Sequence, residues 1–303
     1  MAEPILTWAG GKRHMLDEIT RRLPPKGRFD TYYEPFFGGG AVFFDIEPEN
    51  GYINDINTRL INFYQQLREQ PERIIGENKQ IDDRYSSANE ELKDEIYYNL
   101  RDEFNSLRDT NDNCKDEFRE AVLLLFLNRT CFNGLYRTNQ EGEFNVPQGS
   151  GWTRTKGIER RLRKGYKVLQ NTTITSKDFS YVEQHVGEND LVFFDPPYPK
   201  ESKTAKFNEY DPSGFDEDNQ VELLETALEL DRRGANVMIT NGNSAEEIYK
   251  QHEDFDKAFR IVGIRGERKI NSDETKRRDI GYTDIIATNF SPFIEQKTFE
   301  NYR

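Results

Sequence analysis

Two cysteines in 303 residues, Cys114 and Cys131, are too few for a disulfide framework. Three histidines, His14, His185 and His252, stand at no metal-ligand spacing, and no metal is expected. The longest apolar run, residues 121–127, falls far short of the roughly 20 residues that a membrane helix needs. The first residues, Met1-Ala2-Glu3-Pro4-Ile5, lack the basic-then-apolar pattern of a secretory signal. Internal repeats and low-complexity tracts are likewise missing. A soluble protein of the reduced cytoplasm is the expectation, with one large domain or one domain carrying a sizeable insert.

Positive charge is also scarce. The formal net charge is −13 and the isoelectric point about 5.0, the opposite of a typical nucleic-acid binder. The distribution qualifies the sum. Arg154, Lys156, Arg160, Arg161, Arg163, Lys164 and Lys167 face only Glu159 within residues 152–167, and Arg265, Arg268, Lys269, Lys276, Arg277 and Arg278 form a second cluster. Such runs are usually solvated faces, yet basic islands on an acidic body also suit phosphate contact on one side. An acidic surface further suggests a salty cytoplasm, where attraction to phosphate is weak.

What is present centres on Leu191-Val192-Phe193-Phe194-Asp195-Pro196-Pro197-Tyr198. Four apolar residues in a row read as a buried strand, too short for a helix. The two prolines stop both the ladder and an immediate helix. An acid, proline-flanked carbonyls and an aromatic ring are left at the carboxyl end of a strand, where open α/β sheets bind ligands. A carboxylate and a carbonyl together accept both hydrogens of a planar amine, with Tyr198 stacked on its ring. Withdrawing those hydrogens frees the nitrogen lone pair for attack. The bland alternative is an Asp-Pro-Pro turn with Tyr198 packed on it.

Upstream, Trp8-Ala9-Gly10-Gly11-Lys12 is not a P-loop, because Leu6 stands where its first glycine belongs and Arg13 replaces the Ser/Thr. It reads as a glycine bend with an ammonium group suited to clasping a small carboxylate. Residues 15–23 look helical. Tyr32 and Tyr33 read as strand, Gly38-Gly39-Gly40 as a tight turn, and residues 41–44 as a helix start. Phe43 occupies the third glycine position of a dinucleotide fingerprint, which excludes that motif. A second strand over residues 51–57 ends in Asp55, an acid placed for ribose hydroxyls or for a turn.

Residues 60–126 are helical in pattern, with a loop at Asn111-Asp112-Asn113. Asn128-Arg129-Thr130-Cys131-Phe132-Asn133-Gly134-Leu135-Tyr136-Arg137-Thr138-Asn139 then interleaves apolar side chains with Asn and Arg. Asn and Arg read adenine and guanine edges, and an exposed Phe or Leu wedges between base steps. A hairpin capping a helical subdomain is the alternative. Residues 167–175 look like a strand leading to the acid Asp178, residues 221–230 like a helix, and residues 235–242 like a buried strand. The tail shows two strands, residues 259–264 and 283–290, as a long hairpin.

Taken in order, these motifs resemble the DNA adenine N6-methyltransferases of the Dam type, the alpha group that uses S-adenosylmethionine. The resemblance rests on Trp8 to Lys12, Glu34-Pro35-Phe36-Phe37-Gly38-Gly39-Gly40, Asp55-Ile56-Asn57, Asn128-Arg129 through Arg137, Gly142-Glu143-Phe144-Asn145-Val146-Pro147 and Asp195-Pro196-Pro197-Tyr198. It implies an α/β, Rossmann-like methyltransferase sheet over residues 1–62 and 155–303, with an inserted, mostly helical target-recognition domain over residues 63–154. S-adenosylmethionine would be held by Trp8, Ala9, Gly10, Lys12, Glu34, Pro35, Phe36, Gly38, Gly40, Asp55, Ile56, Asp178, Phe179 and Asp195. Asp195, Pro196, Pro197 and Tyr198 would hold a flipped adenine, without metal or covalent intermediate. Double-stranded DNA, with GATC as the expected target, would be read by Arg129, Phe132, Asn133, Leu135, Arg137, Asn139 and Asn145. A cognate restriction endonuclease is a possible partner. Two rivals remain at this point: methylation of cytosine N4, whose enzymes more often carry Ser before the prolines, and a cofactor-sensing DNA-binding protein without catalysis.

Overall fold

The computed structural model describes residues 1–109, 111–149, 157–198, 215–264 and 282–291. The second basic cluster, the Trp152 to Lys156 part of the first, and the expected domain junction at 154/155 lie outside the described residues. The chain divides into two compact units, Met1–Gly11 with Phe37–Asp178, and Lys12–Phe36 with Phe179–Arg303. Seven strands are described: β1 (Tyr32–Glu34), β2 (Gly51–Asn54), β3 (Thr172–Thr175), β4 (Leu191–Phe194), β5 (Asn236–Gly242), β6 (Arg260–Ile264) and β7 (Asp284–Thr288). Parallel and antiparallel pairings are mixed and helices intervene along the chain, so the fold is α/β, as expected.

In the first unit β2 and β3 pair in parallel, Gly51 opposite Thr172 and Asn54 opposite Thr175. Between them the chain builds helices Thr58–Glu69, Pro71–Ser87, Glu90–Ser106 and Glu117–Thr130, and all the described residues of 63–154 fall within this unit. The Glu117–Thr130 helix is the hub, because residues 120–128 are all buried. A helix apolar on every side must be surrounded by others. Its N-terminus is capped by Asp116, which accepts from the Arg119 N–H at 2.9 Å. One departure from the sequence expectation falls here. Residues 167–169 end the Ile158–Leu169 helix instead of opening a strand, and β3 begins only at Thr172. Ile158, Leu162, Gly165 and Leu169 are its buried face, spaced at helical period, so the basic residues form its outer side.

In the second unit the strand order is β1-β4-β5-β7-β6. β1, β4 and β5 are parallel, with Tyr32 opposite Leu191 and Leu191 opposite Asn236. β7 runs antiparallel to both β5 and β6, which is the expected terminal hairpin. Every residue of β4 is buried, which explains its unbroken apolar run: a strand covered on both faces has no polar side to alternate with. The Glu217–Arg232 helix starts from a capping box between Asp216 and Asn219.

Candidate active site

In the first unit the Trp8, Gly38 and Asp55 motifs meet. Gly38 has φ +50°, and a Cβ there would lie 2.9 Å from Trp8 Cδ1, so only glycine lets the indole approach the turn. The turn is tied down by Asp55, whose Oδ2 accepts from the Gly38 N–H at 2.8 Å while Oδ1 accepts from the Asn57 N–H at 2.9 Å. Burial lifts the Asp55 carboxyl above its usual range, and the two N–H donors pull it part of the way back. Each carboxylate oxygen keeps a second lone pair. Asp55 therefore organises the turn, the structural alternative of the two, and keeps acceptor capacity besides. Beside it the apolar side chain of Ile56 is 74% exposed. Asn54 holds the approach to Asp178, accepting from the Lys177 N–H at 2.8 Å and donating to the Lys177 carbonyl at 2.9 Å. Asp178 itself is exposed, as are Ala9 and Gly10, and Gly40 is the N-cap residue of the Ala41–Ile46 helix.

The segment expected to read DNA, residues 131–145 and here called the recognition segment, is also in this unit and leaves the Glu117–Thr130 helix at Cys131. Phe132 is 49% and Leu135 38% exposed, and Asn133 and Gly134 both have positive φ. Arg137 Nε donates to Asn145 Oδ1 at 2.8 Å, on the exposed surface. Asn139 builds the following turn, its Oδ1 accepting from the Glu143 N–H at 2.8 Å and the Glu141 N–H at 3.1 Å. Arg129 is the remaining residue expected to contact DNA. Its side chain is only 5% exposed and pairs with Asp82 at 2.8 Å and with Asn78 Oδ1, so the guanidinium joins two helices.

In the second unit the tetrapeptide after β4 is held at Asp195, Pro197 and Tyr198. Lys12 Nζ lies 2.5 Å from Asp195 Oδ1, with the Lys12 side chain 4% exposed, and 4.5 Å from the centroid of the Tyr198 ring. The ammonium group does clasp a carboxylate, but it is Asp195's own. Thr240 Oγ1 donates to Asp195 Oδ1 at 2.9 Å. Burial raises the Asp195 carboxyl above its ordinary range, Lys12 and Thr240 lower it, and the charge of Asp284 raises it again. The Tyr198 hydroxyl donates to Asp284 Oδ1 at 3.0 Å; burial and the nearby Asp195 and Asp284 charges keep that hydroxyl protonated far above its ordinary value. The two proline carbonyls differ. Pro197 O accepts from Gln220 Nε2 at 3.0 Å, and Gln220 is in turn held by Asn241, which also meets Tyr249. Pro196 O has no hydrogen-bond partner among the described residues.

Phe36 and Phe179 lie together in this unit, rings stacked at 5.4 Å, with Phe36 edge-on to Phe215 at 5.5 Å. Glu34 is buried and accepts from the Tyr32 hydroxyl at 2.7 Å, and Pro35 is buried next to it. Phe215, Thr240, Gln220 and Asp284 were not singled out from the sequence. No local motif marks them, since each acts on a partner far along the chain.

The chain matches the D12 class N6 adenine-specific DNA methyltransferase family over residues 8–270. It belongs to that family. The chain is 37% identical over 295 residues to a Type II methyltransferase of Methanocaldococcus jannaschii, covering 95% of this chain and 99% of that protein. A Type II methyltransferase of Lactococcus lactis subsp. cremoris is 35% identical over 292 residues, 95% of each chain. The DNA adenine methylase of Escherichia coli is 34% identical over 277 residues, 91% of each chain. The D12-class protein is thus a DNA adenine N6-methyltransferase, an enzyme acting on DNA. Among its described residues no helix is long and apolar enough to cross a membrane.

Proposed function

We propose that this enzyme moves a methyl group from S-adenosylmethionine to N6 of an adenine turned out of duplex DNA, within GATC. The observation that carries the reading is the pair of acceptors after β4. The Asp195 carboxylate is fixed by Lys12 and Thr240. The Pro196 carbonyl has no partner among the described residues, while its neighbour Pro197 is already engaged by Gln220. Two such acceptors fit the two hydrogens of one exocyclic amine, and Tyr198, tethered by Asp284, offers its ring face.

The chemistry of the remaining residues fits the methyl donor. In the first unit the Gly38 turn leaves the space that a Cβ would fill against Trp8, and Asp55 keeps acceptor capacity for ribose hydroxyls. Trp8, Ala9, Gly10, Gly38, Gly40, Asp55, Ile56 and Asp178 would hold it from that unit. Within the second unit the Phe36–Phe179 stack offers aromatic faces. The bound sulfonium supplies an electrophilic methyl group. Asp195 and Pro196 O draw the N6 hydrogens so that the nitrogen lone pair leaves conjugation with the ring, a matter of position and electrostatics. Extruding the adenine costs roughly a few kcal/mol, and the exposed Phe132 and Leu135 would fill the stack behind it. Asn133, Arg137, Asn139 and Asn145 would read or frame the bases, with Arg129 left to the helical packing. The Type II names of two relatives support a place beside a restriction endonuclease of the same specificity.

The test is to express the chain in a host lacking adenine methylation and sequence the modified genome. In parallel, DNA treated with methyl-labelled cofactor is digested to nucleosides. N6-methyladenine confined to GATC is expected. N4-methylcytosine, or DNA binding with no label transferred, would each overturn the reading.

A further inference from the structure

The recognition segment alternates. Leu135 and Arg137 face outward while Tyr136 between them is half-buried, the pattern of an extended stretch with one side on the protein. What Tyr136 touches is unexpected for a residue so placed. Its ring stacks on Trp8, centroids 4.9 Å apart and planes 21° from parallel. Burial pushes its hydroxyl above the ordinary range, and the Arg59 charge and the neighbouring Asn57 side chain draw it part of the way back. Asn57 donates its N–H to Asp55, and Asp55 holds Gly38, against which Trp8 lies. One side chain of the DNA-facing segment therefore closes a ring of contacts through all three first-unit cofactor motifs.

A second clamp lies alongside. Asn128 accepts from the Thr7 N–H at 2.8 Å, and its amide donates to the Thr7 carbonyl at 2.8 Å and the Gly134 carbonyl at 3.1 Å. Gly134, at φ +63°, sits so close to Thr7 that an added Cβ would be 2.8 Å from the Thr7 Cβ. The residue preceding Trp8 is thus bonded on both its backbone groups to Asn128 of the helix that leads into the segment, and Asn128 also holds Gly134.

From these contacts we infer that Tyr136, backed by Asn128, is a positioning residue that couples docking of the recognition segment on DNA to the geometry of Trp8 and Asp55, and so to cofactor affinity. The inference rests on the proposed reading of those motifs. A coupling of this kind is a free energy shared by two ligands: DNA tightens the cofactor by the factor with which the cofactor tightens DNA. The physical carrier is a contiguous set of packed rings and hydrogen bonds, in which a shift of the segment cannot leave the indole and the Asp55 turn unmoved.

The experiment measures the affinity of the full chain for S-adenosylhomocysteine by calorimetry. The protein is used free and saturated with a duplex of the sequence it is found to methylate. Wild type is expected to bind the analogue about 5- to 150-fold tighter on DNA. Tyr136→Leu, which removes ring and hydroxyl, should bring that ratio close to one with both single-ligand complexes still forming. Tyr136→Phe, which keeps the ring and folds on the same volume, should give an intermediate ratio, and Asn128→Ala should lower it independently. A wild-type ratio retained in Tyr136→Phe and in Asn128→Ala would overturn the inference, as would a ratio of one in wild type that binds both ligands. Wild type that binds neither probe would remove the functional reading first and this inference with it.

Discussion

Lys12 shows how one side chain sets the chemistry of another. A buried carboxyl resists ionisation, and Asp195 is pushed upward by burial; the Lys12 charge and hydrogen bond are what hold it down. If Asp195 must be ionised to accept from the substrate amine, transfer rises as pH climbs through its pKa and falls away below it. Lys12→Met removes the largest lowering influence, so the acid limb of the pH–rate profile should move to higher pH, whatever happens to the maximal rate. Initial rates across pH for both forms check this; an unmoved or downward-shifted limb would refute the ion pair's tuning role. The sequence displayed Lys12 as a conspicuous cation beside a glycine bend. It did not display the partner, because Asp195 lies on the other side of the recognition segment in sequence and meets Lys12 only through the fold.

At the scale of the element, the Glu117–Thr130 helix carries a buried charge as well as apolar side chains. Glu120 is fully buried and takes Arg108 on both oxygens at 2.6 and 2.7 Å, the Asn62 amide at 2.8 Å, and Arg59 at 3.6 Å. Removing one member of such a cluster leaves the others charged and dry. Glu120→Ala should destabilise the protein by about 3–5 kcal/mol, read as a lower urea midpoint; a loss below about 1 kcal/mol would contradict the account of the cluster. Elements declare themselves unevenly in a sequence. β4 was legible because four apolar residues ending at two prolines admit little else. The Ile158–Leu169 helix was obscured because its basic residues dominate the eye, although the buried set 158, 162, 165 and 169 was present at helical spacing. Much of that basic charge is spent within the chain. Arg161 pairs with Glu3, Arg163 with Glu72 and Glu159, and Lys164 donates to the Met1 carbonyl. A charge run in sequence thus overstates what is left to offer phosphate.

For the whole molecule, the order of motifs from Trp8 to Tyr198 made the family legible, and the match over residues 8–270 agrees with it. The boundaries of compact units were not legible. The chain crosses from one unit to the other at Gly11–Lys12, Phe36–Phe37 and Asp178–Phe179, each inside a motif that sequence presents as continuous. The hydrogen-bond partners of the Asp195 to Tyr198 segment were also hidden. Gln220, Thr240 and Asp284 come from later elements and contribute single hydrogen bonds, which leave no periodic or compositional trace. All of them serve one idea, that two fixed acceptors make an aromatic amine nucleophilic. Its most direct test is Asp195→Ala, assayed for methyl transfer to duplex DNA and, on the same preparation, for S-adenosylhomocysteine binding. The account predicts that the analogue still binds while transfer falls by about 10²–10³-fold or more. A variant that binds the analogue and methylates adenine at the wild-type rate would contradict it.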